Sequence, residues 1–474
     1  MSERCELVVI GGGPAGLAAA TTAAELGVQV TLIDEQSTPG GQIFRGIENA
    51  DSANSTILGQ DYAQGAALVD AFRKSDAAYR AQSDIWAVTP ERNIGVVSSG
   101  AASMVKAQRI IIATGSMERS VPFPGWTLPG VMTVGAGQIL LKQEGMVPDS
   151  SARVGGANTG IVLAGVGPLL VLVACQYLRA GVAIQAVLDL TPRGNYLRAL
   201  PHLPMALTAG DYISKGKALK RELALAGVQI VTGVSNLAAR GDSRIGSVEY
   251  TVSGHRHTLE TDLLLVHFGV VPNGHLAASL GVGEVWDEGQ QCWRPSTDSW
   301  GSTGIDGIVL AGDCAGISGA RSSELSGRLA ALQSACALGQ IDREEQDRLA
   351  VPVRRVMKQD LRIRPFLEAL FRPPASLLEQ FADDTLICRC EEVTAGRVRE
   401  AVAVGCQGPN QVKAFTRAGM GPCQGRQCAS SVAHVVAEAR GVTVETVGHF
   451  RVRSPVKPIT LGAIASLDID ELDA

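Results

Sequence analysis

The sequence predicts an α/β protein: two parallel-sheet units, one inserted in the other, and a small cysteine-bearing module towards the C-terminal end. Three observations predict it. Near the start, an apolar run, a glycine turn and an alanine-rich stretch follow one another over residues 7–20. The same succession returns over residues 160–170. Two close cysteine pairs, Cys388/Cys390 and Cys423/Cys428, stand in a glycine-rich stretch near the end.

The first succession is the most informative. Leu7-Val8-Val9-Ile10 reads as a buried strand and Leu17-Ala18-Ala19-Ala20 as helix. Between them Gly11, Gly13 and Gly16 have the G-x-G-x-x-G spacing of a Rossmann-like dinucleotide-binding turn. Gly11 permits the tight turn, Gly13 lets the backbone approach a pyrophosphate, and Gly16 lets the helix pack close to the strand. Pro14 and Ala15 open that helix, whose free N–H groups face the phosphates. A second strand, Val28–Ile33, ends at Asp34-Glu35, where a ribose-binding carboxylate belongs. Pro39-Gly40-Gly41-Gln42 follows, and amides at Gly41 and Gln42 can come close to a cofactor.

Bulk properties narrow the class. With 474 residues, two or three domains are expected. The net charge of −5 gives no reason to expect binding to nucleic acid or to an anionic membrane surface. The first strand begins within a few residues of Met1, which leaves no room for an export signal. Ten cysteines in such a chain predict a reducing, cytoplasmic setting, with metal-bound or structural thiols before disulfides. Residues 160–178 would pass a hydropathy window as a membrane span. Gly165, Gly167 and Pro168 interrupt that run, so it reads as strand, turn and helix.

Along the chain, residues 1–151 form the first part of the first unit. Alternation over 85–99 predicts sheet strands, and Arg109–Ile112 is a buried strand running into Ala113-Thr114-Gly115. A proline-rich crossing, Val121–Gly130, leads to a helix near 135–145. The second unit is expected over 152–285, with strands near 160–165, 182–188 and 259–271. The first unit resumes over 286–345. There a strand ends at Gly312-Asp313, and 320–338 is a helix with a small-residue face. A helical linker over 346–382, the cysteine module over 383–440 and a tail over 441–474 complete the chain.

The opening glycines, Ala113-Thr114-Gly115 and Gly312-Asp313, in that order, resemble the two-dinucleotide-domain flavoproteins of the glutathione and thioredoxin reductase type. The resemblance implies a glutathione-reductase-like fold with FAD in the first domain. Gly11, Gly13 and Gly16 would hold its pyrophosphate, Asp313 its ribityl chain and Asp34 its ribose, with Thr114, Gly115 and Gly312 alongside. Asp34 is preferred for its distance to Gly40-Gly41, and Glu35 stays open. Disulfide reductases can carry a Cys-x4-Cys pair after the glycine pair. Here Gln42-Ile43-Phe44-Arg45 stands instead, and the insert has no Cys-x-x-Cys, so a flavin would have no neighbouring dithiol. In the insert Gly165 and Gly167 repeat the first two motif positions, but Leu170 holds the third and would crowd a pyrophosphate. NAD(P), another adenine nucleotide or no ligand all stay open there.

Four thiolates in two close pairs can hold zinc or an iron–sulfur cluster. Zinc knuckles favour Cys-x2-Cys, so Cys-x-Cys with Cys-x4-Cys fits a cluster better, with zinc or unmetallated thiols as alternatives. The module resembles the [2Fe–2S] domain of bacterioferritin-associated ferredoxin and of nitrite reductases. That implies Cys388, Cys390, Cys423 and Cys428 as ligands, although those proteins close with Cys-x2-Cys. Arg389 and Arg426 would raise the cluster's potential, or are solvated surface charges. Cys406 is a stand-in ligand candidate and Cys314 a redox candidate, while Cys5, Cys175, Cys292 and Cys336 read as core residues. No histidine pairs with a carboxylate at a readable spacing, and His267 in its apolar strand reads as core.

Together with Phe123–Val131 and Gly419–Arg426, the whole succession resembles a particular group over about residues 5–440. These are the A (alpha) subunits of bacterial opine oxidases and of D-hydroxyproline dehydrogenase, and the matching subunit of hydrogen cyanide synthase. The resemblance implies an oxidoreductase subunit working with a second FAD-containing subunit of the glycine-oxidase type, with or without a small third subunit. The partner would oxidise the C–N bond of an opine, a D-amino acid or hydroxyproline. This chain would relay the electrons through FAD and [2Fe–2S] to a respiratory or quinone-type acceptor. No residue of it is nominated as an acid–base catalyst, and membrane association would come through a partner. Two other readings stay open: a stand-alone NAD(P)H-dependent reductase and a structural scaffold subunit.

Overall fold

The computed structural model describes residues 3–148, 153–154, 157–158, 160–379 and 381–467. Its first sheet grows from Glu3–Ile10, where Leu7, Val8 and Val9 are wholly buried, as a parallel strand covered on both faces must be. This strand pairs in parallel with Val30–Ile33 on one side and Ala101–Ile112 on the other. Ala78–Arg80 extends the first side, and Ile308–Leu310 joins the end of Ala101–Ile112 in parallel. The start of that long strand runs antiparallel to Asn93–Ser98, which pairs with Ser83–Val88. Helices Pro14–Glu25 and Ala320–Ala337 lie against each other over the sheet. The small-residue face of the second helix is what admits the first: a Cβ on Gly327 would lie 2.0 Å from the Ala15 carbonyl oxygen.

The second sheet is parallel throughout, in the order Gln229–Thr232, Ile184–Asp189, Ile161–Gly165, Leu264–His267, Val131–Thr133. The uncharged run over 160–178 is the strand Ile161–Gly165 and the helix Pro168–Arg179, separated by the glycine turn. Among the described residues no helix is long and apolar enough to cross a membrane. The single strand expected over 259–271 is three. His255–Glu260 belongs to a separate antiparallel meander, Leu264–His267 to the sheet, and Val270–Pro272 to a crossing pair with Ser116–Glu118. The breaks fall where the Thr261 hydroxyl donates to a nearby carbonyl and where Gly269 has φ +89°.

That crossing pair moves the insert. The expected boundary at 151–152 lies outside the described residues. However, Val131–Thr133 already belongs to the second sheet, and Leu276 and Ala277 already belong to the core of the first domain. The insert therefore lies between the paired strands Ser116–Glu118 and Val270–Pro272, rather than over 152–285. The cysteine module has a core of its own, including Ile387, Val398, Val412, Val432 and Val436. Val447 and Phe450 belong to that core, so the module continues past 440. The tail then crosses back over the first domain. Val452 and Val456 sit in that domain's core, the Val456 N–H donates to the Trp86 carbonyl at 2.8 Å, and the Ala102 N–H donates to Ser466 Oγ at 3.0 Å.

Candidate functional site

A cleft opens at the carboxyl ends of the first sheet's strands, where α/β sheets bind their ligands. Gly11, Gly13, Pro14, Ala15, Asp34 and Glu35 line it on one side. Gly41, Gln42, Thr114, Gly115 and Asp313 line the rest. Gly16 and Gly312 stand behind the wall, at points of close approach. A Cβ on Gly16 would lie 1.8 Å from the Gly11 carbonyl oxygen, and one on Gly312 2.7 Å from the Ala15 Cβ. The two glycine turns also touch: a Cβ on Gly41 would lie 2.6 Å from the Gly13 Cα. The helix Pro14–Glu25 starts at Gly13 with no side-chain cap and no acidic residue in its first turn. Its N–H groups thus remain available to an anion.

Three carboxylates face this cradle with different partners. Asp34 is buried, and it accepts hydrogen bonds from the Gly12 N–H and, at 2.8 Å, from the Gln36 N–H. Burial pushes its pKa up against those two bonds. Glu35 sits at the rim, paired with Lys457; burial raises its pKa, but the lysine outweighs burial and holds it below the usual carboxylate range. Asp313 Oδ1 accepts from the Ser318 N–H at 2.8 Å, the Gly319 N–H at 3.0 Å and Ser323 Oγ at 3.0 Å. Its other oxygen has no hydrogen bond among the described residues, and the residue lines the cleft. A pyrophosphate cradle, an uncapped helix start and a carboxylate with one oxygen available fit a dinucleotide such as FAD.

The cleft also has walls that local sequence patterns do not mark. Asn273 closes it beside Thr114, whose hydroxyl donates to the Asn273 carbonyl at 2.8 Å. Arg45 and His275 line it, and Arg426, Val456 and Lys457 arrive from the distant module and tail. Lys457 bridges Glu35 and Asp84, at 2.7 Å from the latter. Beneath the Gln42 loop, the buried Lys142 donates to the Gln42 and Ile43 carbonyls at 3.2 and 2.9 Å. Burial, with help from Arg45, pulls its pKa down to about 7.

The four candidate ligands meet at one end of the module as two pairs. Cys388 lies close enough to Cys428, and Cys390 to Cys423, for the thiols of each pair to perturb one another. The neighbouring Cys428 lowers the Cys388 pKa to about 6, and Cys388 pushes that of Cys428 up. Among the described residues no group of three or more His, Cys, Asp or Glu side chains is placed to hold a metal ion. Thiols gathered in two pairs are the donor type that iron–sulfur clusters use. A Cβ on Gly421 would lie 2.3 Å from the Cys390 Cβ, so the glycine loop presses against the thiols. Arg389 is exposed, whereas Arg426 is half-buried, with its guanidinium on the Val456 and Cys423 carbonyls. Cys406 lies in the module's core, and the Cys314 thiol donates to the Ile112 and Ala311 carbonyls at 3.3 Å each.

In the insert, Leu170 turns into the hydrophobic core and does not crowd the turn. His267 stands beside the turn: its Nε2 is in ordinary contact, 3.6 Å from the place of a Gly167 Cβ, and its backbone carbonyl, on the neighbouring strand, lies 1.8 Å from that of Gly165. It is a core residue with its polar group satisfied: its Nδ1 lies 2.8 Å from Glu118 Oε2, while Glu118 Oε1 accepts from the Gly135 N–H at 2.7 Å. His449 similarly faces Glu284 at 3.5 Å. These carboxylates are far from their histidines in sequence, which is why no spacing reveals them.

Comparison with known proteins agrees with the geometry. Residues 5–339 match the pyridine nucleotide-disulphide oxidoreductase family and residues 382–467 the sarcosine oxidase A3 domain. The opine oxidase A subunit of Agrobacterium tumefaciens (strain Ach5) is 40% identical, the match covering 98% of this chain and 92% of the relative. Hydrogen cyanide synthase subunit HcnB of Pseudomonas protegens is 32% identical, with 97% of each chain covered. Among solved structures, the L-proline dehydrogenase of P. horikoshii shares the fold at a TM-score of 0.70 and 19% identity, covering 98% of this chain and 80% of that one. With a flavoprotein cleft, an inserted second dinucleotide-type domain and an A3-type module in one chain, this protein belongs to the pyridine nucleotide-disulphide oxidoreductase family, as an oxidoreductase subunit grouped with the opine oxidase A subunits.

Proposed function

We propose that this chain is the electron-transfer subunit of a hetero-oligomeric dehydrogenase, with FAD in the cleft and a [2Fe–2S] cluster on Cys388, Cys390, Cys423 and Cys428. One observation carries the reading. The Cys423–Cys428 loop forms part of the cleft's own wall, since its Arg426 lines the cleft together with His275. When bound, the two groups supply the exchange between electron pairs and single electrons.

The chain's residues bind and orient. The Gly11–Gly13 turn and the start of helix Pro14–Glu25 hold the pyrophosphate, Asp313 the ribityl chain, and Asp34 or Glu35 the ribose. Arg426 keeps a positive charge between the two sites, which favours an added electron on either. The names of the relatives support a multi-subunit enzyme. The C–N bond of an amino-acid-type substrate, such as an opine, is then oxidised on a partner flavoprotein of the glycine-oxidase type, and a respiratory or quinone-type acceptor takes the electrons.

The test is a visible spectrum of the chain purified anaerobically, with iron and acid-labile sulfide assayed. The expected result is flavin bands, cluster absorbance, equal iron and sulfide, and no bleaching by NADH. A preparation without iron would remove the cluster from the proposal. Fast bleaching by NADH would make the chain a nicotinamide-dependent reductase instead.

A further inference from the structure

The chain as a whole is acidic, yet one face of its insert is not. Between Arg193 and Leu225 six Lys and Arg residues stand against two Asp and Glu. One of those carboxylates, Glu222, is held by Arg179 at 2.6 Å. Arg198, Lys217, Lys220 and Arg221 are exposed. The end of helix Arg343–Asp360 is fixed alongside, where Tyr212 donates to Asp360 at 2.7 Å, and it brings the exposed Lys358 and, just past its end, Arg362. Large apolar side chains stand out among these charges. Leu197 is 71% exposed, Leu200 54%, Met205 55% and Leu207 61%. The helices Arg193–Ala199 and Leu203–Leu207 turn Ala199 and Ala206 inward and leave the leucines outside. Helix Gly210–Leu225 buries Leu219 and Leu223 and pairs Lys215 with Asp61, which leaves Lys217, Lys220 and Arg221 outward.

Protein interfaces are depleted of lysine at their centres. Protruding leucines ringed by lysine and arginine match a different partner. Apolar tips enter the boundary between headgroups and acyl chains while the cations meet anionic headgroups. We propose that this face seats the chain peripherally on an anionic lipid bilayer. The overall charge hides the site because the acidic residues lie elsewhere. The proposal stands apart from the redox assignment, since vesicle binding requires neither cofactor nor turnover.

The test is co-sedimentation of the full chain with phosphatidylcholine vesicles, with and without phosphatidylglycerol. Binding is expected only with phosphatidylglycerol, weakened about tenfold or more in high salt. Lys217→Glu/Lys220→Glu and Leu197→Ser/Leu207→Ser should each weaken it to a similar degree, with far-UV circular dichroism unchanged. Leu207→Trp should be quenched by brominated lipid in the vesicles that bind. The proposal fails if the chain ignores phosphatidylglycerol vesicles or if neither pair of substitutions alters binding. It also fails if the leucine substitutions instead dissolve a dimer, or if a partner flavoprotein occupies the face and excludes vesicles.

Discussion

Asp313 illustrates how one side chain can serve fold and ligand together. Its Oδ1 gathers the Ser318 and Gly319 N–H groups just before helix Ala320–Ala337, and the residue also faces the cleft. Asp313→Ala strands those donors and should destabilise the protein by about 1–3 kcal/mol in guanidinium titration. The same change should raise the flavin dissociation constant by roughly tenfold to a hundredfold. Asp313→Asn, which keeps an acceptor oxygen, should recover most of the stability. Lys142 gives a pH signature. Its pKa falls from an ordinary 10.5 to about 7 through burial. Between those values the unfolded chain binds the extra proton, so this group makes stability rise with pH. Lys142→Met removes that slope. Relative to the parent, the variant should therefore lose about 2 kcal/mol of stability on going from pH 7 to pH 9.

At the scale of elements, the parts that were legible are those written in contiguous residues. The glycine turn, its flanking strand and helix, the Gly312-Asp313 turn and the broken apolar run at 160–178 each rest on short-range periodicity and close packing, which leave a mark in the sequence. The crossing strands Ser116–Glu118 and Val270–Pro272 are three residues long and carry no periodicity, so the insert's limits were not legible. The His267–Glu118 pair and the Lys457 bridge join residues that only the fold brings together. The tail is the element most easily overlooked. Truncation after Arg451 would remove the buried Val452 and Val456, each contributing about 1.5–3 kcal/mol, and would open the cleft beside Glu35. The truncated chain should unfold at lower guanidinium and release flavin faster on dilution. Gly16→Ala tests the other wall. Its Cβ would fall 1.8 Å from the Gly11 carbonyl oxygen, so helix and strand must separate at a cost of about 1–3 kcal/mol or more, and the protein should purify without flavin.

For the molecule as a whole, the central question is how independent the module is from the flavoprotein body. Its core is separate and includes neither sheet, which favours autonomy. Several connections oppose it, among them Arg426 on the Val456 carbonyl, the Trp126 indole donating to the Leu386 carbonyl at 2.9 Å, His449 facing Glu284 at 3.5 Å, and the tail anchored in the first domain. Of these, Arg426 and the tail reach the cleft, and both do so through packing that the cysteine side chains do not themselves supply. Cys423→Ser should therefore abolish iron binding while leaving flavin content near that of the parent. Its thermal unfolding should divide in two, with a new low-temperature transition for the module ahead of flavin release. If iron and flavin are lost together in a single transition, the cleft depends on an intact cysteine loop, and the two sites form one cooperative unit.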